Sequence, residues 1–245
     1  MCGERGLLGG LRMRSGEEAR IRAAYARRES TVDQRRYSYF DKGNLFLVQG
    51  MERAVLEVLR GHGLTTLWDK RILEVGCGTG GVLRRFIQYG ADPANLCGID
   101  LLPDRIERAR YLSPNVDFRC GNAEQLPYDD ESFDIVMQFT VFTSILDPRM
   151  KQNVAREMLR VLKRDGIILW YDYHMNNPRN PDVQGVGKRE IQALFPDCSI
   201  DLRRVTLAPP LARLLAPYSW LVCYLLEKIP LLCTHYLGVI RKRPG

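Results

Sequence analysis

The chain has only three histidines in 245 residues, and its seven cysteines include no C-x-x-C pair. An odd set of thiols without paired spacing argues against a disulfide framework and against a zinc site, and it points to the cytosol as the compartment. Long hydrophobic runs are missing as well. The uncharged stretch from Leu214 to Leu226 contains Pro217 and falls short of the roughly 20 residues that a bilayer-spanning helix needs. Internal repeats and low-complexity linkers are absent, which excludes solenoid and array architectures. There is no acidic excess: 36 Lys and Arg stand against 29 Asp and Glu, a net charge of +7. The arginines gather in the first 36 residues and in the tail Arg241-Lys242-Arg243. Such a surface is either solvated, or it favours an acidic substrate, an anionic membrane surface or nucleic acid.

What is there is a composition, 45% hydrophobic and 27% charged, that can bury one sizeable core. Strand and helix patterns alternate from Ile72 to Asp172, which implies a doubly wound α/β sheet. Within it, Ile72-Leu73-Glu74-Val75-Gly76-Cys77-Gly78-Thr79-Gly80 reads as a buried parallel strand entering a tight turn that opens a helix. The glycines leave no side-chain bulk between that backbone and a ligand. Gly76, Gly78 and Gly81 also satisfy the dinucleotide fingerprint, with Asp100 at the spacing of its ribose-binding acid. Glu74 separates the two readings. An anion at the strand end repels a pyrophosphate and suits a ligand with a positive end. Cys77 reads as a small turn residue rather than a nucleophile.

An acidic residue followed by x-G-x-G-x-G is the first motif of the class I S-adenosylmethionine-dependent methyltransferases, which this chain resembles. The likeness continues through four features in order, from residue 72 to residue 172. Asn95-Leu96-Cys97-Gly98-Ile99-Asp100 is a second buried strand, and Pro103-Asp104-Arg105 starts the next helix. Val116 to Cys120 is a third strand, followed by Gly121-Asn122-Ala123-Glu124-Gln125-Leu126-Pro127-Tyr128. Asp130 to Gln138 turns into a fourth, and Arg164-Asp165-Gly166 turns into a fifth from Ile167 to Asp172. The resemblance implies that Glu74, Gly76, Cys77, Gly78 and Gly80 surround the cofactor's methionine part. It also implies that Asp100 accepts the ribose hydroxyls, Leu101 packs on adenine, and Asn122 and Ala123 meet the adenine amine. Gln138 and Phe139 then lie beside the methionine. Where the family has an acid, this chain has Asn122, which keeps an acceptor but loses the charge.

Subclasses of that family differ in the residues after the fourth strand. Gln138-Phe139-Thr140-Val141 is neither the N-P-P-Y-like run of base-amine methyltransferases nor the Pro-Cys of cytosine C5 enzymes, which weighs against nucleic acid. The isolated Asp147 offers no magnesium cluster, and no glutamate pair comes after Gln138 to hold a guanidinium. What is left is metal-free transfer from S-adenosylmethionine, giving S-adenosylhomocysteine, to O, N or C of a small or lipid-like acceptor. Such transfer rests on alignment, and a base is needed only if the acceptor must lose a proton early. Asp172 and His174, at the carboxyl end of the fifth strand, are the candidates, His174 by its ordinary pKa. The alternative for His174 is that it caps the strand or is merely exposed. His62 reads as loop and His235 as structural.

The fold expected is a Rossmann-like α/β sheet of seven strands with helices on both faces and, by the resemblance, an antiparallel last strand. Residues 1–16, glycine-rich and aperiodic, are expected to be mobile, 17–66 to form a helical cap, and 67–245 the sheet domain with an apolar helical insertion at about 208–230. In the cap a helix spans Glu17 to Arg28, and Asn44 starts a second. Tyr37, Tyr39 and Phe40 either close the pocket or pack the cap, with Tyr173 on the facing strand end. The insertion is a cover over a hydrophobic acceptor, a shallow peripheral membrane contact, or a core helix, the last being how a uniformly apolar helix is usually found. Two readings of other classes stay open: a non-catalytic S-adenosylmethionine-binding module or partner subunit, and a nicotinamide-dependent oxidoreductase. Oligomeric state is not legible.

Overall fold

All seven expected strands form, and their order places a crevice where two halves of the sheet diverge. The computed structural model describes residues 5–31, 33–177 and 180–243. The strands are β1 (Ile72–Val75), β2 (Leu96–Asp100), β3 (Asp117–Cys120), β4 (Phe133–Phe139), β5 (Leu162–Tyr173), β6 (Cys198–Leu207) and β7 (Cys233–Lys242). They lie in the order β3-β2-β1-β4-β5-β7-β6. Pairing is parallel from β3 to β5, and β7 runs antiparallel to both β5 and β6. The chain leaves β1 toward β2 on one side and reaches β4 on the other. Beyond the carboxyl ends of β1 and β4 the connecting loops therefore part, the usual position of a ligand in open α/β sheets.

Both faces of the sheet are covered, so the central strands are mostly apolar rather than alternating with polar residues, with Glu74 in β1 and Gln138 in β4 as buried exceptions. Ile72, Ile135 and Leu169 pack under α2 (Lys42–Gly61), α3 (Gly81–Gln88) and α4 (Pro103–Leu112). Their neighbours Leu73, Val136 and Ile168 point to the opposite face, against α5 (Pro148–Val161) and α6 (Lys188–Leu194). All six are fully buried, as expected when successive side chains of a strand alternate between two covered faces.

The boundaries differ from the sequence reading at three places. The predicted helix Glu17–Arg28 is longer, α1 (Arg5–Thr31), while the expectation of mobility over residues 1–16 falls partly on residues 1–4, outside the described residues. The N-cap of α2 is Asp41, whose carboxylate accepts the Asn44 N–H at 2.6 Å, whereas the Asn44 side chain reaches back to the Tyr37 and Ser38 carbonyls. β5 starts at Leu162, with no separate turn at Arg164-Asp165-Gly166. Leu162 pairs with Phe133, and a register shift between Phe133 and Ile135 absorbs the extra residues.

The insertion is two short helices, α7 (Pro209–Leu215) and α8 (Trp220–Glu227). Phe46 of α2, Leu207, Ala212, Ala216 and Cys223 form a small core beneath them. The reading of this segment as a buried core helix is corrected: Leu214, Tyr218, Leu221, Leu225 and Leu231 are each more than half exposed. Pro217 and Ser219 break the run into pieces too short to bury on all sides. No helix among the described residues is long and apolar enough to cross a membrane.

Candidate functional site

A cavity of about 710 Å³ opens beyond the carboxyl ends of β1, β2, β3 and β4, and α1 lies along one side of it. The turn after β1 makes its floor. Gly76, Gly78 and Gly80 all have positive φ, near +69°, +53° and +76°, a region that side chains with a Cβ rarely adopt. A Cβ on Gly76 would overlap Val141, and one on Gly80 would press on the Phe118 ring. Gly76 and Thr79 border the cavity, whereas Gly78 and Gly80 shape the turn without lining it.

Asp100 binds this turn to the end of β2. Its Oδ2 accepts the Gly78 N–H at 2.8 Å and its Oδ1 the Leu102 N–H at 2.9 Å. Each carboxylate oxygen retains a lone pair, and the group borders the cavity beside Leu101 and Gly121. Farther along, Asn122 and Ala123 face Ile145, Met150 and Val154 across it. The Asn122 Oδ1 accepts the Glu124 N–H at 2.9 Å, and its Nδ2 donates to Glu18 of α1.

Glu74 sits beneath the turn rather than on the cavity wall. It is 2% exposed, and burial together with the nearby Asp100 charge raises its carboxyl well above the usual range, against the pull of Arg85 and the Leu83 N–H. Its Oε2 is buried without a hydrogen-bond partner among the described residues. Cys77 is packed against Gly98, and burial raises its thiol, which disfavours the thiolate.

Two polar side chains fix the loop after β4. Gln138 is fully buried, its Oε1 accepting the Val141 N–H at 3.0 Å and its Nε2 donating to the Tyr171 carbonyl at 3.4 Å. Thr140, with φ near +59°, donates its N–H to that same carbonyl at 2.8 Å. Asp172 is also fully buried. It accepts the Thr143 N–H at 3.2 Å, the Thr143 hydroxyl at 2.7 Å and the Tyr173 N–H at 2.9 Å. Burial outweighs these bonds and pushes its carboxyl up to about 7. Phe139, Thr140, Val141 and Ser144 are thereby held on the cavity wall.

Of the residues singled out in the sequence, Gly76, Asp100, Leu101, Asn122, Ala123, Phe139 and Tyr37 line the cavity. Glu74, Cys77, Gly78, Gly80 and Gln138 support it from behind. Asp172 and His174 do not reach it. The His174 ring meets the Cys233 carbonyl at 2.9 Å and packs on Tyr236, which is the strand-cap arrangement. Tyr39 and Phe40 project from the cap, Phe40 98% exposed, while Tyr173 packs on His235 at 3.8 Å. His235 is the structural residue expected, buried between Tyr171 and Tyr173, and burial lowers it to about 3. The aromatic group thus divides: Tyr37 bounds the pocket, and its hydroxyl meets Arg28 at 2.7 Å.

The sequence reading missed what α1 contributes: Ile21, Tyr25, Arg28 and Glu29 all line the cavity. Ile21 and Tyr25 are four apart, so they share a helix face, and that spacing was the available signal. The helix is fastened by polar contacts. Glu17 accepts the Leu146 N–H at 2.6 Å and the Asp147 N–H at 3.3 Å, and Arg20 donates to the Ser144 carbonyl at 2.6 Å. Burial would raise the Glu17 carboxyl, but Arg20 and the two N–H groups hold it below its usual value. On the far side Arg105 stacks over Tyr25 at 4.4 Å and pairs with Glu29 at 3.1 Å. Among the described residues no three His, Cys, Asp or Glu side chains are grouped to hold a metal.

Comparison with known proteins agrees with this arrangement. A methyltransferase-domain family model matches residues 72–166. The chain is 35% identical over 137 residues to a phthiotriol/phenolphthiotriol dimycocerosates methyltransferase of Mycobacterium leprae, covering 52% of this chain and 49% of that protein. It is 31% identical over 146 residues to the uncharacterized methyltransferase YcgJ of Bacillus subtilis, covering 52% and 55%. The chain thus spans about half the length of the curated relatives it matches. Among solved structures, a SAM-dependent methyltransferase from Methanosarcina mazei superposes with a TM-score of 0.56 at 17% identity, over 74% of this chain and 96% of that one. The [4+2]-cyclase SpnF does so at 0.57 and 23% identity, over 80% and 83%. At these identities the superpositions speak for the fold alone.

Proposed function

The chain carries a class I S-adenosylmethionine-dependent methyltransferase domain, and from that premise we propose that it transfers the methyl group of S-adenosylmethionine to a small or lipid-like acceptor by in-line displacement. The observation that carries this reading is the cavity beyond β1 and β2, where Gly76, Asp100, Leu101, Asn122 and Phe139 converge. Its donor set fits the ligand: a carboxylate with open lone pairs for ribose hydroxyls, an amide oxygen for the adenine amine, and apolar walls for the base. The buried Glu74 oxygen behind the turn has no partner among the described residues, and a cationic ligand end beside it would favour the ionised carboxylate.

S-adenosylmethionine, when bound, supplies a methyl group already activated by its sulfonium. The protein's part is then to align and to dry. Asp100 and Asn122 fix the nucleoside end, and the Gln138 and Asp172 bonds hold the 140–144 loop in place. Phe139, Thr140 and Tyr37 bound the remaining space, and α1 excludes water from it. His174 and Asp172 stand off the cavity, so the reading gives neither of them a proton to move. For the acceptor, support comes from the curated relatives, whose names specify phthiotriol and phenolphthiotriol dimycocerosates.

Calorimetry with S-adenosylhomocysteine and with NAD tests the cofactor, and transfer of labelled methyl to hydroxylated lipids tests the chemistry. Tight S-adenosylhomocysteine binding with no NAD binding is expected, and the reverse would sink the proposal. Binding without turnover on any acceptor would make the chain a non-catalytic S-adenosylmethionine-binding module instead.

A further inference from the structure

Half of the large hydrophobic side chains exposed among the described residues fall in one short segment, from Leu214 to Leu231. Tyr218 and Leu231 are more than four-fifths exposed, and Leu221 two-thirds. A patch of this density on a soluble domain marks an interaction surface. On α8 only Cys223 is buried, and Leu221, Val222, Tyr224 and Leu225 are each exposed.

The chemistry of the patch indicates its occupant. Aromatic side chains with a polar edge, Tyr218, Trp220 and Tyr224, stand among the leucines, the mixture that suits a membrane–water boundary. The charges beside it are mainly basic. Arg213 lies within α7 and Lys228 directly follows α8, Lys228 lying 4.6 Å from the Tyr224 ring centroid and Arg53 5.7 Å from it. The acid of the segment, Glu227, has a side chain only 14% exposed and is paired with Arg53 at 3.1 Å. A second protein copy would bring the same basic rim against itself. An anionic surface would complement it.

The patch also continues toward the cavity mouth. Gly43 of α2 lies against Arg213 of α7, close enough that a Cβ there would come within 2.6 Å of the Arg213 Cα. Three residues before Gly43 stands Phe40, almost wholly exposed, and three before that Tyr37, which borders the cavity. α7 therefore packs on the first turn of α2, so the α7–α8 face adjoins the chain segment from Tyr37 to Phe40, whose first residue borders the cavity.

We propose that this face docks on the surface of an anionic lipid bilayer, α7 and α8 inserting their leucines and aromatics shallowly while Arg213, Lys228 and Arg53 meet the head groups. Such binding combines buried apolar area with attraction to anionic lipid, and salt screens the second part. It does not depend on which acceptor the cavity takes.

The test uses the full chain in flotation with vesicles of phosphatidylcholine alone and of equimolar phosphatidylcholine and phosphatidylserine. Binding to the second and much less to the first is expected, weakening as salt is raised. The variant carrying L221D and L225D should bind on the order of tenfold or more weakly while keeping its circular dichroism and its S-adenosylhomocysteine affinity, since both side chains are exposed. R213E with K228E should lose the preference for phosphatidylserine. Undiminished binding of the aspartate variant would overturn the proposal. So would the absence of vesicle binding in a chain that light scattering shows to be a dimer, and that the aspartate variant turns into a monomer.

Discussion

The Asn122 side chain donates to the carboxylate of Glu18, so a residue of the β3 loop and one of the covering helix share a hydrogen bond at the cavity wall. An aspartate at 122 would face Glu18 as a second carboxylate. N122D should therefore weaken S-adenosylhomocysteine binding on the order of tenfold, and adding E18Q should restore most of it. Calorimetry of the single and double variants measures the coupling, and independent, additive effects would refute it.

Asp100 caps Gly78 and Leu102 while facing the cavity. D100A should reduce cofactor affinity by roughly 1 to 3 kcal/mol, the range for leaving hydrogen-bonding groups unpaired. Unchanged affinity would mean that the ribose lies elsewhere.

Gly76 has positive φ, and a Cβ there would overlap Val141. G76A should both destabilise the fold, by about 1 kcal/mol or more, and abolish measurable cofactor binding. Adding V141A relieves the overlap but not the backbone strain, so only partial recovery is expected in the melting temperature.

The buried Asp172 carries a carboxyl pushed up from 3.8 to about 7. An acid whose folded pKa lies above its unfolded one is protonated in the folded chain at pH values where the unfolded chain has already released the proton. Its contribution to stability is greatest below pH 4 and falls as pH rises from about 4 to about 7. D172N removes that slope. The stability of D172N relative to the parent should rise across this window in denaturant titrations, and parallel profiles would count against a buried, proton-retaining Asp172. His235, lowered to about 3 from 6.5, has the opposite effect: its neutral burial stabilises more as pH rises from about 3 to 6.5. The comparison of D172N with its parent cancels this contribution, because both chains retain His235.

E17A leaves the Leu146 and Asp147 N–H groups without their acceptor and removes the carboxylate that pairs with Arg20. Faster S-adenosylhomocysteine dissociation is expected, with the association rate little changed, in stopped-flow traces. An identical off-rate would show that α1 does not hold the ligand in.

The sheet and the floor of the site were legible in the sequence because their signals are local: buried strands, a glycine turn that needs positive φ, an acid at each of two strand ends. The side chains that act through a neighbour were not. Gln138 and Asp172 were read by position as ligand or catalytic groups, yet each turns back to hold the 140–144 loop, a long-range pairing that no spacing reveals. The apolar insertion left cover, membrane contact and core helix all open, and composition could not show that Pro217 splits it into two helices too short to be enclosed. α1 was placed in the cap, but which of its residues reach the cavity was not legible, because Ile21 and Tyr25 are its only large apolar pair between residues 17 and 31.

The segment that aligns with the methyltransferase-domain model begins at residue 72 and ends at 166, whereas Ile21, Tyr25, Arg28 and Tyr37 lie outside it. The glycine motif and the roof over it are thus separate stretches of chain, joined by a few polar contacts and by Ile21 and Tyr25 packing on the core. Selection can rewrite the roof without disturbing the floor. Two proteins that share the floor can therefore part company in what they accept, and kinship measured over the motif predicts the donor better than the recipient.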